Sequence, residues 1–151
     1  MVRKDRLNKI KGDTLVAIQK DLPYVQIDLP PQTEHTAISI ITQTATKANP
    51  HTPEEYVLIF NMYIPPNTNT RSIDLTYVLP YRNNLKTETY ILGDFNAYHP
   101  IWNQTYQNPL GTCVTAFNEE MNCNLQVARS QPMYLPNKPI WAHLDLTITI
   151  D

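Results

Sequence analysis

Glycine is nearly missing from this 151-residue chain: three residues in all, against 13 prolines. A chain so poor in the residue that turns freely, and so rich in the one that fixes its backbone, must be joined by stiff connections. Cysteine is equally thin. Cys113 and Cys123 fall in one stretch that reads as a helix, too far apart along it to bridge. No zinc-ligand spacing accompanies them, so a disulfide scaffold and a zinc module are both excluded, and a reducing compartment is the plain reading. Long apolar runs are absent too, since nothing approaches the roughly 18 residues of a membrane helix. The charged N-terminus lacks the apolar core of a signal peptide behind it. We therefore expect an intracellular chain with no membrane span. An excess of one charge is also lacking: the net charge of -2 is no nucleic-acid footprint by itself.

What is present reads as globular. Hydrophobic residues make up 42% and charged residues 17%, and the length suits a single domain with a sizeable core. The charge is uneven. Arg3, Lys4, Arg6, Lys9 and Lys11 are five of the 12 basic residues, and without them and Asp5 seven bases face 13 acids, a charge of -6. This basic tip has two readings, contact with phosphates and a plain solvated end. The chain opens without a cap or turn, as though continuing something longer. No internal repeat or low-complexity tract is present.

Strands dominate the pattern. Residues 20–27 read as a weak strand that Pro23 confines to a sheet edge. Residues 36–46, rich in Ile and Thr, make a better one, and a Pro-containing loop over 47–53 follows. Over 55–64, Tyr56, Leu58, Phe60, Met62 and Ile64 share one face, and Val57, Ile59, Asn61 and Tyr63 the other. Apolar character on both faces predicts a central strand, turning polar only at Asn61 and Tyr63 before Pro65-Pro66 stops it. Residues 69–85 predict a helix broken by Pro80 into about two pieces. Residues 89–95 predict a strand, 112–124 a helix with Val114, Phe117 and Met121 on one side and Gly111 just before it. A brief strand over 125–128 and a Pro-rich connection over 132–139 come next. The end, 143–151, alternates cleanly: Leu144, Leu146, Ile148 and Ile150 against Asp145, Thr147, Thr149 and Asp151. Helices following strands predict a layered α/β domain.

Three of these strands carry polar residues on one face near an end: Asn61 with Tyr63, Asp94 with Asn96, and Asp145 with Thr147. Strand alternation sends Asp94 and Asn96 the same way and Phe95 the other. Gly93, lacking a side chain, admits another backbone or a ligand beside them. Open α/β sheets bind ligands at such strand ends, and a carboxylate beside an amide suits a metal-bound phosphate. Nothing in the pattern makes the three strands neighbours.

A resemblance supplies that. Asn61-Met-Tyr-Ile-Pro-Pro-Asn67, then Leu92-Gly-Asp-Phe-Asn96 running on to Tyr98-His-Pro-Ile-Trp102, then Leu144-Asp-Leu-Thr147 stand in an order and spacing that resemble the endonuclease/exonuclease/phosphatase superfamily. The continuation Tyr98 to Trp102 is similar to the branch found in non-LTR retrotransposons. The resemblance spans nearly the whole chain and implies a four-layered α-β-β-α sandwich, one domain over residues 1–151 that is partial at both ends. It implies a Mg²⁺-dependent phosphodiesterase, with Mn²⁺ as a substitute, acting on DNA in the nucleus and fused to a reverse transcriptase.

By the same resemblance, Asp94 activates or orients the attacking water and, with Asn96, holds the metal. Asn96 also holds the water or a phosphate oxygen, and Tyr63 stabilises the crowded phosphorus centre. Asp145 orients a catalytic histidine. Asn61, Asn96, His99 and Trp102 are the substrate-binding candidates. Two departures stand beside this. The family's metal-binding glutamate belongs upstream of residue 1 and its Ser-Asp-His motif beyond residue 151. Glu34, in a polar loop, and His143, beside Asp145, do not replace them. His35 and His51 lie in Pro- and Thr-rich loops and take no role.

Each candidate also has a plain reading. Asp94 and Asn96 form an Asx turn that ends a strand; Tyr63 is a core or rim tyrosine; Asp145 caps a loop; His99 and Trp102 seat the loop instead of touching DNA. For the chain as a whole the alternatives are a catalytically incomplete remnant that at most binds nucleic acid or a partner, and a phosphatase or phospholipase of the same superfamily.

Overall fold

The structure is a computed structural model and describes residues 2–4, 14–29, 35–43, 55–66, 75–82, 87–102, 106–127, 133–134, 141–142 and 145–150. Its centre is a mixed six-stranded sheet built from β3 (Tyr24–Ile27), β4 (His35–Gln43), β5 (Glu55–Tyr63), β6 (Glu88–Asp94), β7 (Asn124–Val127) and β10 (Asp145–Ile150), in the order β3-β4-β5-β6-β10-β7. Only β5 and β6 run parallel. A parallel pair needs a crossover, and the crossover here contains a 3-10 helix, Leu75–Tyr81. The helix α1 (Pro109–Met121) then leads into β7, and the last strand, β10, slots between β6 and β7. The described residues also hold two short two-stranded pieces: β1 (Val2–Lys4) with β2 (Thr14–Val16), and β8 (Met133–Tyr134) with β9 (Trp141–Ala142).

Residues paired in register share a face, so the two faces can be read off the pairing. Leu58, Phe60 and Met62 of β5 stand with Ala37 of β4, Ile91 of β6, and Leu146 and Ile148 of β10, all buried. One cluster joins them to Leu110, Val114 and Phe117 of α1, to Leu75 and Val78 of the 3-10 helix, and to Phe95 and Trp102. Each such large side chain contributes about 1.5–3 kcal/mol by leaving water. The opposite face carries Thr36, Ile38, Asn61, Tyr63, Asp94 and Thr147. There β2 is tied to the sheet through polar groups: the Thr14 and Thr36 hydroxyls bond each other, and Asn61 Nδ2 donates to the Leu15 carbonyl at 2.9 Å.

Several expectations hold. The strand after Pro23 is the sheet edge, β5 is central, and Leu146, Ile148 and Ile150 all turn inward. The second face of β5, expected to be covered like the first, is only half-buried.

Others need correcting. The 69–85 helix is, among the described residues, a seven-residue 3-10 helix with Pro80 inside it. Proline offers no N–H for an α-helical bond, and the tighter i to i+3 pattern closes on Arg82 N to Leu79 O at 3.0 Å. The second helix begins earlier than expected, at Pro109, and stops at Met121, where Asn122 turns left-handed at φ 49. Gly111 therefore lies within α1 instead of before it, and Cys123 lies beyond its end; both cysteines are free. The strands β1, β2, β8 and β9 were not expected. The loop over 47–53, with His51, and Glu34 and His143 lie outside the described residues, as do most of the 132–139 connection and the segments 69–74 and 83–85.

Candidate active site

The parallel pairing of β5 with β6 sets Tyr63 against Asp94, and the antiparallel pairing of β6 with β10 sets Asp94 against Asp145. Three chemistry-bearing residues thus occupy one row across three adjacent strands. The next row holds Asn61, Leu92 and Thr147. Directly opposed residues of an antiparallel pair have Cβ atoms about 4.5–5.5 Å apart, and like charges in such positions are destabilising. Two aspartates set opposite each other are therefore costly unless a cation or hydrogen-bond donors stand between them.

Past Asp94 the strand alternation stops. Gly93 has φ 140, and a Cβ there would fall 1.9 Å from the Met62 carbonyl oxygen. What its missing side chain admits is thus the neighbouring strand. Asn96 is left-handed at φ 46, so the expectation that it points with Asp94 by strand period no longer applies. Its backbone N–H donates to Asp94 Oδ1 at 3.0 Å, which is an Asx turn. Its side-chain Nδ2 donates to the Ile64 carbonyl at 3.0 Å, and Ile64 N–H in turn donates to the Asp94 carbonyl at 2.9 Å. Asn96 is 8% exposed. The turn and the row are one arrangement: the carboxylate of Asp94 is held by the loop that follows it, while its backbone stays in register with Tyr63 and Asp145.

The remaining candidates separate. Trp102 is 1% exposed, and its ring N–H donates to the Ala97 carbonyl at 3.2 Å. It ties the loop to the Ala97 carbonyl from a buried position. His99 packs against it at 5.3 Å, and His99 Nδ1 accepts from the Ile101 N–H at 3.3 Å. Asn61 faces the row's side of the sheet, with its amide nitrogen engaged by Leu15.

One residue escaped the sequence reading. Asn108 Oδ1 accepts from Tyr98 N–H at 2.9 Å and Gly111 N–H at 2.8 Å, while its Nδ2 donates to the Asn96 carbonyl at 2.9 Å. The signal was available, since Asn followed by Pro is a helix-start signature. Close by, Tyr98 stacks on Tyr106 at 4.8 Å. Burial, then Tyr106, then the charge of Asp94 push its hydroxyl up to about 12, so it stays neutral at working pH.

The two residues that would hold a metal offer only oxygen, the carboxylate of Asp94 and the amide oxygen of Asn96. That is the set a hard cation such as Mg²⁺ takes, so the residues present fit the group in kind. Among the described residues no group of three or more His, Cys, Asp or Glu is placed to hold a metal by itself.

A family model described as endonuclease-reverse transcriptase matches residues 57–151, which include every residue of the row. The chain belongs to this family. A solved structure, the endonuclease domain of TRAS1, a telomere-specific non-LTR retrotransposon, superposes with a TM-score of 0.56 at 17% identity. The match covers 87% of this chain and 55% of that one, so the chain spans about half the length of the solved domain. The fold is therefore the α/β fold of the retrotransposon endonuclease domain. No curated protein matches by sequence. No helix among the described residues is long and apolar enough to cross a membrane.

Proposed function

We propose that this chain carries the strand-end part of a Mg²⁺-dependent endonuclease domain, one that nicks target DNA for a non-LTR retrotransposon on a polypeptide shared with a reverse transcriptase. The observation that carries the reading is the single row of Tyr63, Asp94 and Asp145 across β5, β6 and β10. Family membership over residues 57–151 supports it.

In this reading Asp94 orients a water and takes its proton as the water oxygen bonds to phosphorus and the bond to the leaving sugar oxygen breaks. Its Asx bond to Asn96 fixes the carboxylate's direction beforehand, so that cost is met during folding. Asn96 presents its amide oxygen to the metal or water and, being neutral, adds no repulsion to an anionic site. The Tyr63 hydroxyl donates to the phosphoryl oxygens as charge builds on them. Asp145 serves as the carboxylate partner that selects a histidine's tautomer. Mg²⁺, when bound by Asp94, Asn96 and the family's glutamate, supplies charge neutralisation at the phosphate.

The test is conversion of supercoiled plasmid to the nicked form in Mg²⁺ by the polypeptide containing this chain. Asp94→Ala and Asn96→Ala should each slow nicking by about 10²–10³-fold, the usual cost of one such group. A wild-type polypeptide that leaves the plasmid supercoiled would remove the enzymatic reading. It would favour the runner-up, a catalytically incomplete remnant that at most binds nucleic acid or a partner.

A further inference from the structure

We infer that Asn108 is a positioning residue for the site, fixing the Asp94–Asn96 turn from the far side; the inference rests on the endonuclease reading above. Three side-chain bonds carry it. Its Oδ1 accepts from Tyr98 N–H and Gly111 N–H at 2.9 and 2.8 Å, and its Nδ2 donates to the Asn96 carbonyl at 2.9 Å. The backbone adds a fourth tie, Asn108 N–H to the Tyr98 carbonyl at 3.1 Å. Residues 96 and 98 are thereby pinned to the first turn of α1.

The contact is close because of Gly111. A Cβ at that position would fall 1.9 Å from the Tyr98 carbonyl oxygen, so any side chain there would push the loop away from the helix. From Asn96 the connections run on to the site: its N–H holds Asp94 Oδ1 and its Nδ2 holds the Ile64 carbonyl, one residue past Tyr63. The backbone of Asn96 is left-handed, a conformation asparagine tolerates better than most residues, and Asn108 holds it on the carbonyl side.

The chemistry requires asparagine. Capping α1 needs only an acceptor, which aspartate or serine also provides. Holding Asn96 as well needs a donor on the same side chain. Aspartate lacks that donor when ionised and would set a charged oxygen against the Asn96 carbonyl. Substitution by aspartate therefore separates the two duties.

The experiment compares wild type, Asn108→Asp and Asn108→Ala in the polypeptide containing this chain. The readouts are thermal melting, amide hydrogen exchange at Asn96, and Mn²⁺ affinity measured with the metal alone. Asn108→Ala should melt lower, having lost its cap. Asn108→Asp keeps the cap and should melt above Asn108→Ala, yet exchange the Asn96 amide about tenfold faster than wild type, the size of one lost hydrogen bond. It should bind Mn²⁺ about tenfold more weakly, and lower kcat with little change in KM, as misplacement of a reacting group does. An Asn108→Asp protein that matches wild type in exchange and Mn²⁺ affinity would overturn the inference and leave Asn108 a helix cap alone. Wild type that binds no Mn²⁺, with the exchange difference intact, would instead overturn the endonuclease reading and keep Asn108's hold on the turn.

Discussion

The two faces of the central sheet do different work with different chemistry. On one, Phe60, Ile91, Ile148 and Phe95 are wholly buried beneath α1 and the 3-10 helix. On the other, Tyr63, Leu92 and Asp94 are half-buried, and contacts run through hydroxyls and amides such as Thr14 with Thr36 and Asn61 with Leu15. The difference teaches where stability and chemistry are each stored. Apolar burial is additive and insensitive to direction, so the first face can hold the fold. Polar groups on the second are directional and keep a strand-end row in place without filling it.

This division is open to a direct challenge. Phe60→Ala should cost about 3–5 kcal/mol, the range for deleting a buried phenyl group, and so should lower the melting temperature sharply or prevent cooperative unfolding. Tyr63→Phe, three residues along β5 and on the other face, should move stability by no more than about 0.5 kcal/mol while cutting nicking by about 10²-fold. Thermal melts and plasmid nicking on both proteins decide the matter. If Tyr63→Phe is as destabilising as Phe60→Ala, the two faces are one core and the contrast fails.

The contrast was partly visible before any coordinates. The alternation of Leu146, Ile148 and Ile150, and the doubly apolar run of β5, depend only on a period of two, so they survive translation into structure. Pro23 fixed β3 as an edge because a missing N–H is a local fact. Gly93 announced a close approach, though only the fold shows that Met62 makes it. Reasoning from period failed at Asn96, where the backbone turns left-handed and alternation has no meaning. It also failed for β1 and β2, three residues each, too short to express any period. Asn108 could be read as a cap, but its bonds to Asn96 and Tyr98 are tertiary and leave no local mark. The family's motifs named the row; pairing of β10 with β6, which closes it, is a long-range event that no local pattern encodes.

A smaller effect should appear at alkaline pH. Burial raises the hydroxyl of Tyr98 to about 12, and burial with Tyr81 nearby pushes Tyr77 higher still, both from an ordinary value of 10.0. Their folded-state values exceed the unfolded ones, so the stability they carry is fully present below pH 10 and is lost as pH rises toward and past 12. Unfolding midpoints in denaturant should therefore be flat across neutral pH in respect of these groups and fall above pH 10. Tyr98→Phe should blunt that fall. Because Tyr77 packs on Phe60 at 6.4 Å and Tyr98 follows the Asp94 turn, Tyr77→Phe and Tyr98→Phe tell which region gives way first.

The smallest effect is the most informative about the row. Asp94→Asn keeps a side-chain oxygen to accept from the Asn96 N–H, so the Asx turn survives, but it removes one of two like charges at opposed positions of β6 and β10. Without divalent metal, that should leave stability unchanged or raise it by up to about 1 kcal/mol. Adding Mg²⁺ should then reverse the order, because a ligand that binds only the folded state stabilises it by mass action and the variant has lost the carboxylate that attracts it. Melting curves of both proteins in EDTA and in Mg²⁺ would show a crossing. If Asp94→Asn melts below wild type in EDTA, the charge of Asp94 is already compensated by the protein's own groups. The row would then be a structural turn with no need of a cation, and the polar face would differ from the apolar one in composition alone.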